Sequence, residues 1–247
     1  MRIGLIIEYD GKDFFGWQIQ PEKRTVQGLL TDALSSLLKE KITLIGSGRT
    51  DSGVHARNQT AHFEYAGNFP IERLALAVNT LLPADVRVKK SFVASDDFHA
   101  QYSAKKKTYS YRYYISKISR PLYDPFAAQI PYDPEAFDLL AAQNAVRDLL
   151  GAHDFLGFSS TGREVADSRR TIYSASLTYE NELLVLTLTG NGFLYNMVRI
   201  IAGTVAEIGL RRLPESAIRA VLETKNRTLA GKTYPPQGLT LEEVEYV

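Results

Sequence analysis

The chain has 247 residues, of which 45% are hydrophobic, and its 29 Lys and Arg against 28 Asp and Glu give a formal net charge of +1. This length predicts one large or two small domains whose core needs no covalent cross-links. The absence of Cys excludes disulfides, thiolate zinc sites and cysteine nucleophiles, and fits a reducing cytoplasm. The N-terminal apolar run is too short for a signal peptide or a membrane span, so we expect a soluble, cytoplasmic protein.

Strands and helices alternate along the first hundred residues. The helices show apolar residues at i, i+3, i+4 and i+7, whereas the strands are short and rich in β-branched residues. The predicted elements are a strand RIGLIIEY, a helix from Val26 to Leu38 with Thr25 as its N-cap, a strand KITLI, a Gly-rich bend, a strand QTAHFEY, a helix from Ile71 to Leu82 and a strand VRVKKSFVA.

A similar order of elements follows in the rest of the chain. The predicted elements are a strand KKTYSYRYYI, a helix PEAFDLLAAQNAVRDLL, the strands SRRTIYSASLTYE and ELLVLTLTG, a helix FLYNMVRIIAGTVAEIG, a short helix from Pro214 and a strand LTLEEVEY. The sequence therefore predicts an α+β protein with two similar halves. We assign residues 1–104 and 105–247 to them.

Positive charge is concentrated between residues 87 and 120. The basic residues there are Arg87, Lys89, Lys90, Lys105, Lys106, Lys107, Arg112, Lys117 and Arg120, and only Asp96 and Asp97 oppose them. Tyrosines at 102, 109, 111, 113 and 114 are interleaved with these cations, a mixture that suits a polyanion with stacking bases. Taken alone, the stretch is more simply explained as a solvated edge strand that its Lys residues protect from aggregation.

The bend GSGRTDSGVH, residues 46–55, carries one Arg and one Asp among glycines. It does not fit a phosphate-binding loop, because Asp51 stands where the dinucleotide fingerprint needs its third Gly and no Gly-Lys-Ser/Thr follows. A zinc deaminase is excluded as well, since His62-Phe63-Glu64 has no accompanying Cys pair. All four histidines are better explained as structural residues.

A lone Asp in a site of this kind needs a cation to remain ionised. Burial raises the pKa of a carboxylate, whereas an adjacent Arg lowers it by about 1–3 units. We expect the partner of Asp51 to come from another element of the chain and not from Arg49 in the same bend. Arg199 is a lone cation on a mostly apolar helix and is the candidate, although it also fits an Arg that caps or snorkels from a core helix.

The segment GRTDSGVHA, residues 48–56, resembles the catalytic motif of the tRNA pseudouridine synthase A family. YDGKDFFGWQIQ, TVQGLLTDAL, LPADVRV, FHAQYSAKKKTYSYRY, SRRTIY, NGFLYNMVRIIAG and GLTL follow the same family's order over nearly the whole chain. The resemblance implies a pseudouridine synthase fold, in which the two halves share a central, mostly antiparallel sheet flanked by helices, with the active-site cleft between them. It further implies a homodimer that acts on tRNA with neither metal nor organic cofactor.

The resemblance also implies roles for particular residues. Asp51 matches the family's nucleophile, Tyr109 its active-site tyrosine and Arg199 the arginine that pairs with the aspartate. Arg49 matches a residue that holds the RNA backbone and helps the target nucleotide to leave the stack. The substrate-binding residues that we expect are Arg49, Lys107, Tyr109, Arg169 and Arg170. Gln101 departs from the family pattern, in which Arg is frequent, and its neutral side chain cannot supply that positive charge to a phosphate.

The expected reaction is the isomerisation of uridine to pseudouridine on the 3′ side of the tRNA anticodon stem-loop, at tRNA positions 38 to 40. The sequence leaves open whether Asp51 attacks the ribose C1′, attacks the uracil ring or removes a ribose proton. The alternative function is a non-catalytic RNA-binding protein on the same fold. Phosphoryl transfer through an aspartyl intermediate needs Mg²⁺ and a second carboxylate, which the bend does not supply.

Overall fold

The computed structural model describes residues 1–160 and 167–246. Its chain separates into two compact units. The first contains Met1–Lys105 together with the C-terminal strand from Thr240, and the second is Lys106–Leu239. The return of the last strand to the first unit differs from the expected second half of residues 105–247. It follows from strand pairing, because Thr240 lies opposite His55 in a parallel ladder.

The first unit is built on a mixed sheet with two helices. Its elements are β1 (Arg2–Tyr9), α1 (Val26–Leu38), β2 (Ile45–Gly46), β3 (His55–Glu64), α2 (Ile71–Asn79), β4 (Val86–Ala94) and β10 (Leu239–Glu245). Strand β1 lies between β3 and β4 and is antiparallel to both. Strand β3 also pairs with β2 in antiparallel and with β10 in parallel orientation.

The second unit contains an antiparallel sheet in the order β5-β9-β8-β7, and β6 adds to β5 in parallel. Its elements are β5 (Lys106–Ile115), β6 (Ala128–Ile130), α3 (Leu139–Arg147), β7 (Gly151–Asp154), β8 (Arg169–Glu180), β9 (Leu183–Gly190), α4 (Met197–Gly209) and α5 (Ala217–Thr224). Every second residue of β9 from Leu184 is buried, as expected for a sheet with one face on a core. The predicted α+β class with mostly antiparallel strands is confirmed.

Helix α1 begins where the sequence predicts. The Thr25 side chain accepts a hydrogen bond from the backbone N–H of Gly28 at 3.3 Å, which satisfies one of the donors left over at the first turn. The helix ends at Leu38, and Lys39 follows in the left-handed conformation with φ of +58°. The N-cap prediction is therefore confirmed.

Two predicted elements of the first unit are longer than the observed ones. Helix α2 ends at Asn79 instead of Leu82, because the Asn79 side chain makes two 2.8 Å hydrogen bonds to the backbone of Val88 in β4. Of the predicted strand KITLI only the final Ile pairs as a strand, in β2. The carbonyl of Leu44 instead accepts a hydrogen bond from the side chain of Gln27 at 2.8 Å. The backbone at Leu44 is therefore hydrogen-bonded to α1 and not to a neighbouring strand.

Helix α3 is also shorter than the predicted segment 134–150. Residues Pro134–Ala136 form a separate 3₁₀ turn. The helix begins only after Asp138, whose side chain accepts the N–H of Ala141 at 3.0 Å.

Among the described residues, no helix is both long enough and apolar enough to cross a lipid bilayer.

Candidate active site

The Gly-rich bend of residues 46–53 is a tightly held loop between β2 and β3. The backbone N–H of Ser47 donates to Thr60 O at 2.7 Å. The Gln59 amide accepts from Ser47 Oγ at 2.5 Å and donates to Gly48 O at 3.0 Å. Both Ser47 and Gln59 are completely buried, so hydrogen bonds out of reach of water fix the start of the loop to β3.

The second part of the loop is held by the segment between β1 and α1. The N–H of Trp17 donates to Thr50 O at 3.1 Å, and the N–H of Gly53 donates to Phe14 O at 3.2 Å. Gly16 has φ of +82°, and a Cβ built there would lie 2.5 Å from Thr50 O, so only glycine fits. The backbone on both sides of residue 51 is therefore anchored to one segment.

Asp51 lies at the turn of this loop. Its carbonyl accepts the N–H of Val54 at 3.2 Å, and the residue is half-buried, whereas Arg49 is exposed. The preceding Thr50 shares a 2.8 Å hydrogen bond with the buried hydroxyl of Tyr9. Burial raises the pKa of Tyr9 above its ordinary value despite that bond, so the phenol stays protonated at neutral pH. The position of the Asp51 backbone is thus set by its neighbours.

Arg199 lies in the first turn of α4. This helix begins at Met197 instead of the predicted Phe193, because Asn196 adopts the left-handed conformation with φ of +60°, which ends the preceding turn. The amide of Asn196 is itself held, since its Nδ2 donates to Ser160 Oγ at 2.9 Å. Most of α4 is buried, and Arg199 is half-buried within it.

Two hydrogen bonds orient the Arg199 guanidinium. Its Nε donates to Tyr234 O at 2.8 Å, and its NH1 donates to Asn196 Oδ1 at 2.8 Å. The N–H of Tyr234 in turn donates to Arg199 O at 3.1 Å. Gly203, one turn further along α4, permits this close approach, because a Cβ there would lie 1.8 Å from Lys232 O. The planar fork of Arg199 therefore has a fixed direction.

Tyr109 and Lys107 lie on one face of β5, since residues two apart in a strand point the same way. The ring of Phe193 meets Tyr109 edge to face at 5.0 Å between centroids. Lys107 lies opposite Gly190 in the ladder and is half-buried. Burial and, to a smaller extent, the positive charge of Arg170 lower the pKa of Lys107 to about 8. The structure therefore brings Lys107 and Arg170 into electrostatic range of each other.

Arg169 and Arg170 begin β8. Arg170 is half-buried, and its NH1 donates to Arg169 O at 2.6 Å and to Asp167 O at 2.9 Å. Arg169 is exposed, opposite Asp154 in the ladder with β7. The two adjacent cations therefore differ, because one side chain is held against the backbone and the other extends at the surface.

The histidines have structural partners. His62 accepts the N–H of Ala100 at Nδ1 (3.1 Å), and burial together with the charges of His99 and Arg2 lowers its pKa to about 4. His99 Nδ1 accepts two backbone N–H bonds, from residues 101 and 102, and His153 bonds to Leu150 O. His55 Nδ1 lies 3.1 Å from Gly11 N. No cluster of three potential metal ligands occurs among residues 1–160 and 167–246.

Sequence reasoning missed the residues that position the expected site. Asn196 and Tyr234 hold Arg199, and Phe193 supports Tyr109. The three-residue spacing from Asn196 to Arg199, with Asn just before an apolar helix, was a local signal for the first contact. The carbonyl of Tyr234 left no signal, because any residue type supplies one.

The sequence comparisons agree with the motifs. A family model described as tRNA pseudouridine synthase matches residues 5–103 and 145–247. Similar proteins include tRNA pseudouridine synthase A of Anoxybacillus flavithermus, with 47% identity over 99% of this chain and 98% of that protein. The same enzyme of Caldicellulosiruptor bescii shows 46% identity over 99% of both chains, and that of Bacillus subtilis 44% over 100% of this chain and 99% of its own. The chain therefore belongs to the tRNA pseudouridine synthase family.

Proposed function

We propose that this protein is an isomerase that converts uridine to pseudouridine in tRNA. The observation that carries the proposal is the family match across both units, which includes the loop of residues 46–53. Relatives with 44–47% identity over nearly their full length are named tRNA pseudouridine synthase A. The alternative of a non-catalytic RNA-binding protein is not favoured by these names. We place the target uridines on the 3′ side of the anticodon stem-loop, at tRNA positions 38 to 40.

The reaction rearranges one nucleotide without changing its atomic composition. The bond between N1 of uracil and C1′ of ribose breaks, a bond between C5 and C1′ forms, C5 loses its proton to solvent and N1 gains one. No electrons enter or leave and no water is consumed. A carboxylate suits this chemistry, as it does in retaining glycosidases, where Asp or Glu attacks a sugar carbon.

Asp51 is the proposed nucleophile, and we propose that Tyr109 and Arg199 act on the same uridine. The anchored backbone on each side of Asp51 supports this role, because a nucleophile must be held close to its attack geometry. The ring of Tyr109, supported by Phe193, offers a stacking face for uracil, worth about 1–3 kcal/mol. Arg199, oriented by two acceptors, is the proposed cation that keeps Asp51 ionised.

The remaining expected residues bind the tRNA backbone in this proposal. Extrusion of a base costs a few kcal/mol, and phosphate contacts must offset that cost with a steep dependence on salt. The residues proposed for these contacts are Arg49, Lys107, Arg169 and Arg170. We further propose that the enzyme acts in the cytoplasm as a homodimer.

Release of tritium tests the activity directly. A tRNA transcript with tritium at C5 of uridine is incubated with the purified protein without added metal, and we expect one tritium in the solvent for each pseudouridine formed. Carbodiimide labelling and primer extension then locate the product, expected on the 3′ side of the anticodon stem-loop. Binding of tRNA without tritium release would establish the RNA-binding alternative, and product elsewhere in the tRNA would refute the assignment of its position.

A further inference from the structure

Phe14 and Phe15 lie in the segment between β1 and α1 that anchors the Asp51 loop. The carbonyl of Phe14 accepts the N–H of Gly53 at 3.2 Å and the hydroxyl of Ser52 at 3.1 Å. Phe15 is the next residue, and its own N–H donates to Arg24 O at 2.9 Å. Phe15 is therefore the neighbour of a residue that contacts the Asp51 loop directly.

The side chain of Phe14 is closed to any ligand. It is 1% exposed, and the guanidinium carbon of Arg24 lies 3.9 Å from its ring centroid. Arg24 is neutralised by Asp85, with 2.9 Å between NH1 and Oδ2. This pair of ring and cation is a structural contact.

The side chain of Phe15, in contrast, is accessible to a ligand. It is 48% exposed, and Lys23 Nζ lies 4.5 Å from its ring centroid. Lys23 is exposed, and it forms no ion pair with a carboxylate in the described part of the chain. An accessible aromatic ring and an ammonium without a neutralising carboxylate thus lie side by side, next to the segment that carries the loop.

We propose that Phe15 and Lys23 bind the nucleotide that flanks the target uridine, an inference that rests on the proposed function. A base whose neighbour leaves the stack loses one stacking partner, and the Phe15 ring replaces it. The ammonium of Lys23 binds the phosphate that joins the two nucleotides. Nucleic acid fits both groups at once, because it presents a flat base and a charged phosphate within a single residue.

The test measures tRNA binding in an Asp51→Asn background, so that its result does not depend on turnover. We expect Phe15→Ala to weaken binding about 5-fold to 150-fold, which corresponds to about 1–3 kcal/mol. Phe15→Tyr keeps an aromatic face and should bind like the parent, whereas Phe15→Leu keeps an apolar side chain without that face and should bind nearly as weakly as Phe15→Ala.

Tyr179 offers a matched control. Its side chain is 49% exposed, as that of Phe15 is, but no Lys or Arg lies over its ring in the described part of the chain. Tyr179→Ala should therefore leave tRNA affinity unchanged within about twofold. Thermal unfolding of each variant identifies any that has lost its fold, and for those the comparison of Phe15→Tyr with Phe15→Leu replaces Phe15→Ala.

Lys23→Ala tests the phosphate contact independently of the ring. The slope of log affinity against log salt concentration should become shallower by about 0.7–0.9, the change for one lost phosphate contact. An unchanged slope together with wild-type affinity of Phe15→Leu would overturn the proposal and leave this patch to another partner. Because binding is measured without turnover, that failure is distinguishable from failure of the proposed activity, which tritium release reports.

Discussion

The Asp51 loop and the start of α4 each hold one charged, half-buried residue, but they do so in different ways. The loop is held mainly through its backbone, by Trp17, Phe14 and the strand β3. The guanidinium of Arg199 is held by its own hydrogen bonds to Tyr234 O and Asn196 Oδ1. A backbone-held residue tolerates a change of side chain without a change of position, whereas a side-chain-held residue does not. A substitution at residue 51 should therefore leave the position of the loop unchanged, whereas one at residue 199 should displace the charged group.

The largest expected effect is that of Asp51→Asn. Asn has nearly the same shape, and the backbone contacts that hold the loop do not involve the carboxylate, so we expect the loop and tRNA affinity to be preserved. Loss of the nucleophile should lower kcat by about 10⁴-fold or more, as in other enzymes that lose a nucleophile. Tritium release measures the rate, and a filter-binding titration measures the affinity. Turnover within tenfold of wild type would remove Asp51 from the nucleophilic role.

Arg199→Lys should have the next largest effect, although it keeps the charge. A single ammonium cannot reproduce the guanidinium, whose Nε and NH1 bind two acceptors in one plane. We expect kcat to fall by about 10²-fold, the cost of a misplaced catalytic group. The rate of Arg199→Met provides the reference for complete loss of charge. A rate of the Lys variant near that of wild type would show that charge alone matters at this position.

Two glycine substitutions compare the packing beneath these regions. Gly16→Ala places a Cβ against Thr50 O at a φ of +82°, and Gly203→Ala places one against Lys232 O, two residues before Tyr234. Each should lower the free energy of unfolding by about 1–3 kcal/mol and kcat by about tenfold, because each moves a segment that anchors a proposed catalytic residue. Urea titration and initial rates measure the two effects. Equal stability with unchanged kcat would show that neither segment positions the site.

The sequence was sufficient for local features and insufficient for partners distant along the chain. Helix α1 with its Thr25 cap follows from a local rule, and the loop of residues 46–53 follows from a motif. The left-handed Asn196 was missed because an apolar pattern continues through it toward Phe193. The carbonyl that holds Arg199 belongs to Tyr234, and Gln27 of α1 takes the carbonyl of Leu44 that the predicted strand required. Contacts of this kind depend on tertiary packing, which no periodicity records.

The smallest expected effect concerns Lys107, whose pKa is lowered by its surroundings. Its pKa of about 8 means that half of the free protein has lost this charge at pH 8 and most of it has at higher pH. A bound phosphate holds the proton, so tRNA affinity should fall by up to tenfold for each pH unit above 8, until the pKa of the complex is passed. Lys107→Met should show weaker binding at pH 7 and no such dependence. A binding profile that is the same in wild type and variant would exclude Lys107 as a phosphate ligand.

Folding stability should respond to the same residue with the opposite sign. The pKa of Lys107 is lowered from 10.5 to about 8, so between these values the unfolded chain binds more protons than the folded one. Stability from this group is therefore lowest below pH 8 and rises as the pH increases toward 10.5. Lys107→Met should unfold at a higher urea concentration than wild type at pH 7, although it binds tRNA less tightly. A half-buried ammonium that costs stability in the free protein and strengthens binding of a polyanion is what a substrate-binding lysine requires. A purely structural lysine would not produce this pair of opposite shifts.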